Sequence, residues 1–586
     1  MPAASAGTQP SPVYDARGNL IETPFVPVHA EPKLTESSAL AVALADPKVR
    51  DWVARYPKKG LIEDASLDES GGVWTVKIWA KGDAGEIVLA RIEDASSRVT
   101  EAWTGPQVAW TMARGLKGSF GRKINNTGIW LALCGIFLLG LADLRRPLSL
   151  RNLDLFVLLS FSVSLWYFNK GQIFTSVPLA YPPLVYLLVR MLWIGRYGEG
   201  SRSRPVWPVW ILAAATVFLA GFKVGLNVQA SNVIDVGLAS VAGTERIVKE
   251  GEMPYGHMPN DRGKPCGSAN ADGYVREHVQ TNGRCESAVE RGDTYGPVTY
   301  LAYVPGYVAY GWTGKWDQDP RKSFWNLPAA HFTSILFDLL AIAGLALVGR
   351  RFGGARLAAT LAFAWAACPF TQYVSNSNSN DAIMPALLVW GFWLLTSAPG
   401  RGLFLGLATF AKFAAVLLLP LWASYPSGLR RPRGALPFLG GLAAAGVLSF
   451  WIFFLEPDPL HAARLFWDRT FGFQLERDSP FSAWDWGQYR YLDLSLVQSF
   501  LKYALVAGAL ALAFVPRTKT PLRLAALSGA LLIGFEIVLT HWFYLYIPWF
   551  LPFVAFALLA PAAATSAQSE ATPTRDHDAR ALVGAH

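Results

Sequence analysis

The chain has 586 residues, 52% of them hydrophobic and only 16% charged, with a mean hydropathy of +0.26. Soluble proteins carry about 25% charged residues, so the whole chain is not a water-soluble globular enzyme and reads as a polytopic membrane protein. Its net charge of +9 does not mark a nucleic-acid binder, because the basic residues cluster beside the ends of hydrophobic runs, where they act as topology anchors.

Residues 1–45 are rich in Pro, Ala, Ser and Thr, lack the apolar core of a signal peptide, and read as disordered. Residues 46–115 read as a small α+β soluble domain. DPKVRDWVARYP predicts a helix started at Asp46 with Pro47 in its first turn. GVWTVKIWAKG and GEIVLARIED alternate apolar and polar residues around a Gly-Asp-Ala-Gly connection, which predicts a hairpin. A helix followed by a hairpin resembles the PepSY-type domains attached to bacterial membrane proteins. Nothing in this segment looks catalytic.

Eleven hydrophobic runs follow, at 127–143, 153–169, 173–194, 207–225, 328–349, 356–373, 381–397, 434–455, 496–515, 521–540 and 542–561. Most approach the ~20 residues a helix needs to cross the hydrocarbon core. The loops LRRPLSLR, RYGEGSRSR, GRRFGGAR, LRRPRG and VPRTKTPLR are basic and are assigned to the cytoplasm. The loops at 225–327, 374–380 and 456–495 then face outside, and 562–586 is a disordered cytoplasmic tail. Counting 401–425 as one span would put LRRPRG on the wrong side. Two short helices that enter and leave from the cytoplasm, with Lys412 between them, restore the parity; such broken helices line protein cavities. Parity also places the 46–115 domain outside, whereas Arg114, Lys117, Arg122 and Lys123 before the first span argue for the cytoplasm.

Ionisable residues close to spans are functional candidates, since their burial is costly. NVIDVG places Asp235 between apolar neighbours just beyond a span, as a general base or as a plain cap or loop aspartate. DTYGPVTYLAYVPGYV, with Asp293 and Tyr295, reads as an interfacial helix with its rings at the headgroups, or as membrane packing. SNSNSNDAIMPALL holds more amides than capping needs, so Asn380 and Asp381 are candidates for a hydroxyl-rich ligand. RDSPFSAWDWGQYR offers Arg477 for phosphate and Trp484 and Trp486 for stacking on a sugar. His541 stands at an outer boundary, where a satisfied interfacial histidine is the plainer alternative. Cys266 and Cys285 lie in the polar loop and are a disulfide candidate or two free thiols; no metal-ligand spacing accompanies them.

The order NVIDVG, DTYGPVTY, SNSNSND, ATFAKF, RDSPFS, HWFYLYIPWFLP resembles the GT-C superfamily of membrane glycosyltransferases, and within it the bacterial polyprenyl-phosphate-sugar-dependent mannosyltransferases. The resemblance covers about residues 205–561, with three additional spans over 127–204 ahead of it. It implies a multi-pass plasma-membrane enzyme with its active site on the extracytoplasmic face, moving a hexose such as mannose from a polyprenyl-phosphate sugar to a glycan or glycolipid acceptor. It implies Asp235 as the base, Lys412 and Arg477 on the donor phosphate with His541 assisting, and Asn380 and Asp381 lining the site. Asp293, Tyr295, Trp484 and Trp486 are added as substrate-binding candidates from the motifs themselves. No metal or other cofactor is expected. The first outer loop of the superfamily often has paired acids, whereas Asp235 stands alone, with Asp293 the next candidate. A transporter or flippase of a lipid-linked sugar, or a sensor or scaffold, are the rival readings.

Overall fold

Strands Leu61–Asp68, Val73–Ala80, Gly85–Glu93 and Arg98–Thr104 form an antiparallel sheet in chain order. Trp74, Val76, Ile78 and Ala80 are buried at alternate positions, the two-residue period expected where one face of a strand is covered. The anticipated hairpin is the central pair of this sheet, with Ile78 opposite Val88. As expected, Asp46 caps the helix Pro47–Val53 by accepting from the amides of Lys48 and Val49. A further helix, Glu36–Ala45, falls inside the segment expected to be disordered. Its capping box pairs Thr35 with Ser38, and Ala39 and Ala43, four residues apart, form the buried stripe that packs on the sheet. Small residues made that stripe inconspicuous in the composition.

This fold is a computed structural model. It describes residues 13–22, 32–68, 72–80, 85–109, 111–115, 121–200, 206–258, 277–279, 285–287, 293–311, 323–427, 435–475, 479–484 and 494–561. The chain divides into two units, residues 1–109 and 110–586.

The second unit is helical. Among the described residues, Ile173–Tyr197, Val209–Ala230, Pro328–Ala367, Ala435–Leu455 and Pro521–Val538 are long and apolar enough to cross a membrane. The other apolar helices, such as Thr127–Leu141 and Ser495–Ala511, are shorter, so the eleven expected spans do not all appear as membrane-length helices. Several runs are interrupted. The run at 381–397 opens with a 3₁₀ turn, Asn380–Ala382, before the helix Ile383–Trp393. The run at 542–561 is helical only from Ile547 to Leu559, after a short 3₁₀ turn.

Pro328–Ala367 contains two helices. Gly354 has φ 72° and ψ −168°, a conformation that favours glycine. Beyond it the chain turns back, because a Cβ on Gly349 would lie 2.5 Å from Ala358 backbone atoms, whereas nine residues of straight helix separate atoms by about 13 Å. The spans expected at 328–349 and 356–373 are thus an antiparallel pair.

The 401–425 segment also reverses. Helix Ala398–Ala411 ends at Lys412, whose backbone is extended (φ −136°, ψ 119°), and Phe413–Leu418 and Leu419–Ala423 follow. Arg401 Nη2 donates to the carbonyl of Tyr425 at 3.2 Å; a straight helix would place these residues about 36 Å apart. Both ends of the hairpin therefore lie together, and Lys412 marks its tip.

Helix Pro297–Tyr310 departs from the interfacial expectation. Tyr300 and Tyr303 are fully buried and Tyr307 nearly so. The helix packs against Asp235–Glu245, Pro328–Ala367 and Ala398–Ala411, so its rings fill a protein core.

Candidate functional site

The tip of the hairpin is seated by a glycine. A Cβ on Gly296 would lie 1.9 Å from the carbonyl oxygen of Phe410, so only glycine admits this approach. Thr299 Oγ1 then donates to the carbonyl of Ala411 at 2.9 Å. The neighbouring Tyr295 presents its ring to Lys412, whose Nζ lies 4.5 Å from the ring centroid and 5.6 Å from that of Trp549. The same ammonium stands 3.1 Å from Asp381 Oδ1, and both side chains are at least nine-tenths buried. Away from water such a pair attracts strongly, and aromatic faces add to the stabilisation of the cation. Asp381 sits in the 3₁₀ turn Asn380–Ala382, within electrostatic range of the buried Glu536.

Asp235 is held from the other end of the same segment. The amides of Asn232 and Ile234 donate to the carbonyls of Asn376 and Ser377 at 3.2 and 3.1 Å. Asn378 Nδ2 donates to the carbonyl of Asn232 at 2.9 Å and to Ser231 Oγ at 3.0 Å, while Asn227 Nδ2 reaches Asn378 Oδ1 at 2.7 Å. Asn378 adopts φ 48°, a left-handed conformation that asparagine tolerates better than most residues. These amides are buried and bind the loop before Asp235, so the supposed surplus is used within the protein. Helix Asp235–Glu245 begins directly after that loop. Ile234 is its N-cap, and partly exposed Asp235 takes the first helical position, where the macrodipole favours negative charge. One turn on, Asn380 Nδ2 donates to Ser240 Oγ at 3.2 Å. Residues 376–381 thus seat Asp235 at one end and present Asp381 to Lys412 at the other.

Asp293 is fully buried and ties together segments distant in the chain. Its Oδ2 accepts from the Gly256 amide at 3.0 Å and lies 3.5 Å from Arg469 Nε. Burial and the charge of Asp293 push the Tyr255 hydroxyl well above the usual phenol range, so it remains a donor, to the carbonyl of Tyr295 at 2.8 Å. His541 Nδ1 and Ser479 Oγ are hydrogen-bonded at 2.8 Å, and the ring of Phe481 meets the imidazole edge-on. Trp484 donates its indole N–H to the carbonyl of Ile537 at 2.7 Å and meets Tyr181 edge-on, which fixes it to the bundle. Arg477, Trp486 and Cys266 lie outside the described residues, and Cys285 falls on a short strand, Cys285–Ser287.

The sequence reading missed an ion pair inside the bundle. Lys223 Nζ stands 2.6 Å from Asp338 Oδ1, both nearly fully buried, and donates to Thr371 Oγ1 at 3.2 Å, while Trp365 Nε1 donates to the same carboxylate at 2.8 Å. Both charges lie within predicted spans, and that was the available signal. Arg469 and Glu536 were likewise passed over, since neither belongs to a motif. A scan against protein-family models finds no match, and a search of curated proteins finds none.

Proposed function

We propose that the chain is a membrane glycosyltransferase that moves a sugar, a hexose such as mannose, from a polyprenyl-phosphate donor to an extracytoplasmic glycan or glycolipid. The observation that carries this reading is Lys412: a buried ammonium delivered by a hairpin tip to the ring of Tyr295 and to Asp381, the latter on the polar segment that also seats Asp235. In the transfer, the acceptor oxygen bonds to the anomeric carbon as the bond to the donor phosphate breaks, and the electron pair leaves with the phosphate. Asp235 takes the hydroxyl proton. Lys412, with Arg477 and His541, stabilises the leaving phosphate, at about 1.5–3 kcal/mol per charged hydrogen bond. An ammonium has three donors, so Asp381 orients Lys412 without exhausting it.

Asp235→Asn is expected to lower transfer from a radiolabelled polyprenyl-phosphate sugar by about 10²–10⁴-fold, with expression and membrane insertion unchanged. Transfer at the wild-type rate would remove the assignment. The buried Lys223–Asp338 pair favours a second reading, a transporter or flippase of a lipid-linked sugar, because intramembrane charges also mark transport paths. The same assay in sealed vesicles separates the two: translocation without transfer supports the second.

A further inference from the structure

Two of the basic loops meet on a cavity that the proposed chemistry does not use. It has a volume of about 620 Å³ and is lined by Arg146, Ser149, Arg151, Arg190, Trp193 and Glu199, with Asp154 beneath and Leu558 closing one wall. Both loops belong to the side assigned to the cytoplasm by their charge.

The cavity is built from fixed parts. Buried Asn152 stitches the loop before its helix: it accepts from the Asp143 amide at 2.7 Å and donates to the carbonyls of Asp143, Arg146 and Pro147 at 3.1, 3.2 and 3.0 Å. This network sets where Arg146 and Ser149 stand. Arg190 Nε lies 3.2 Å from each oxygen of Asp154, which also accepts from the Tyr186 hydroxyl at 2.8 Å. Arg151 is 5% exposed, and the first turn of helix Leu150–Asn169 adds its dipole.

Arg146, Arg151 and Arg190 line the cavity with Asp154 and Glu199; Arg190 pairs with Asp154, and Arg151 is within electrostatic range of the buried Asp143 outside the lining. The rim is apolar and open: Leu148, Leu150 and Trp193 are 100%, 51% and 52% exposed. A lining that holds three guanidinium groups beside an exposed apolar rim fits an anionic amphiphile. We propose that this cavity binds a phosphodiester anion, supplied by an anionic glycerophospholipid headgroup or by a soluble phosphodiester. Guanidinium groups match phosphate oxygens in pairs, and basic pockets between helices on the cytoplasmic side suit lipid headgroups.

The test is native mass spectrometry of the delipidated full-length protein titrated with phosphatidylglycerol, with and without millimolar dimethyl phosphate. Arg146→Gln is expected to weaken binding of the first lipid about tenfold, the loss of one charged hydrogen bond. Arg145→Gln, next to it but outside the cavity lining, is expected to leave binding unchanged. Arg146 is exposed, so its replacement spares the fold. Displacement by dimethyl phosphate assigns the site to soluble phosphodiesters, and retention of lipid assigns it to headgroups. Equal binding by wild type and Arg146→Gln, or equal weakening by both variants, overturns the proposal.

Discussion

Lys223 and Asp338 each bring a full charge into the helical unit, and the energetic weight of such a pair lies in what one partner costs without the other. Lys223→Met or Asp338→Leu alone is expected to lower stability by about 3–5 kcal/mol, read as a drop in unfolding temperature in detergent. The double variant is expected to recover most of that loss, since two apolar side chains replace a desolvated pair. A double variant as unstable as the sum of the singles would show that the two charges act separately. Lysine and aspartate inside hydrophobic runs are visible in a sequence, but their pairing is not, because it joins residues 115 positions apart. Lys412 was conspicuous for a different reason: it sits at the centre of a segment that parity had already marked as irregular.

Helices Ala398–Ala411 and Ala435–Phe450 meet along a seam of small residues. A Cβ on Gly402 would lie 2.0 Å from the carbonyl oxygen of Phe438, and one on Gly441 would lie 2.0 Å from that of Pro399. Gly406 faces Ala445 one turn along, so the small residues recur at the four-residue spacing that lets helices approach closely in a bilayer. Gly441→Val is expected to force the helices apart at a cost of about 1–3 kcal/mol, and to reduce transfer by shifting Lys412. Gly440→Ala is the control: nothing lies within 4 Å of a Cβ there, and alanine gains about 0.5–1 kcal/mol of helix propensity. Thermal unfolding and the transfer assay on both variants check this. The hairpin was legible because loop charge constrains the number of crossings. The glycine seam was not, because Gly402 and Gly441 become meaningful only when the two helices face each other.

At the scale of the whole molecule, the two units rest on different physics. The helical unit buries charge; the N-terminal unit pins its first helix through one carboxylate at the sheet. Asp94 accepts from the amides of Lys33 and Leu34 at 2.8 and 2.9 Å and from Trp74 Nε1 at 2.9 Å. The hydrogen bonds from Lys33, then Leu34 and Trp74, hold its carboxyl below the usual carboxylate range. A carboxyl lowered by folding contributes stability that is present above its unfolded value and lost as pH falls through the folded one. Residues 33–104 are therefore expected to become pepsin-sensitive as the pH drops below the usual carboxylate range. Asp94→Asn is expected to flatten that dependence; an unchanged acid profile in the variant would assign the effect to other groups. The central hairpin of this unit followed from alternation alone. Strands Leu61–Asp68 and Arg98–Thr104 did not, because their exposed faces dilute the period.

With both its ends at one side, the Lys412 hairpin is mechanically a cantilever. Its root is clamped by the Gly402–Gly441 seam and by Arg401 on Tyr425, and its tip rests on Thr299 and Asp381. A phosphate that draws the ammonium away from Asp381 removes one of those rests while the root stays fixed. Any deflection is then concentrated at Lys412, the one residue between its two helices whose extended backbone already breaks the hydrogen-bond ladder.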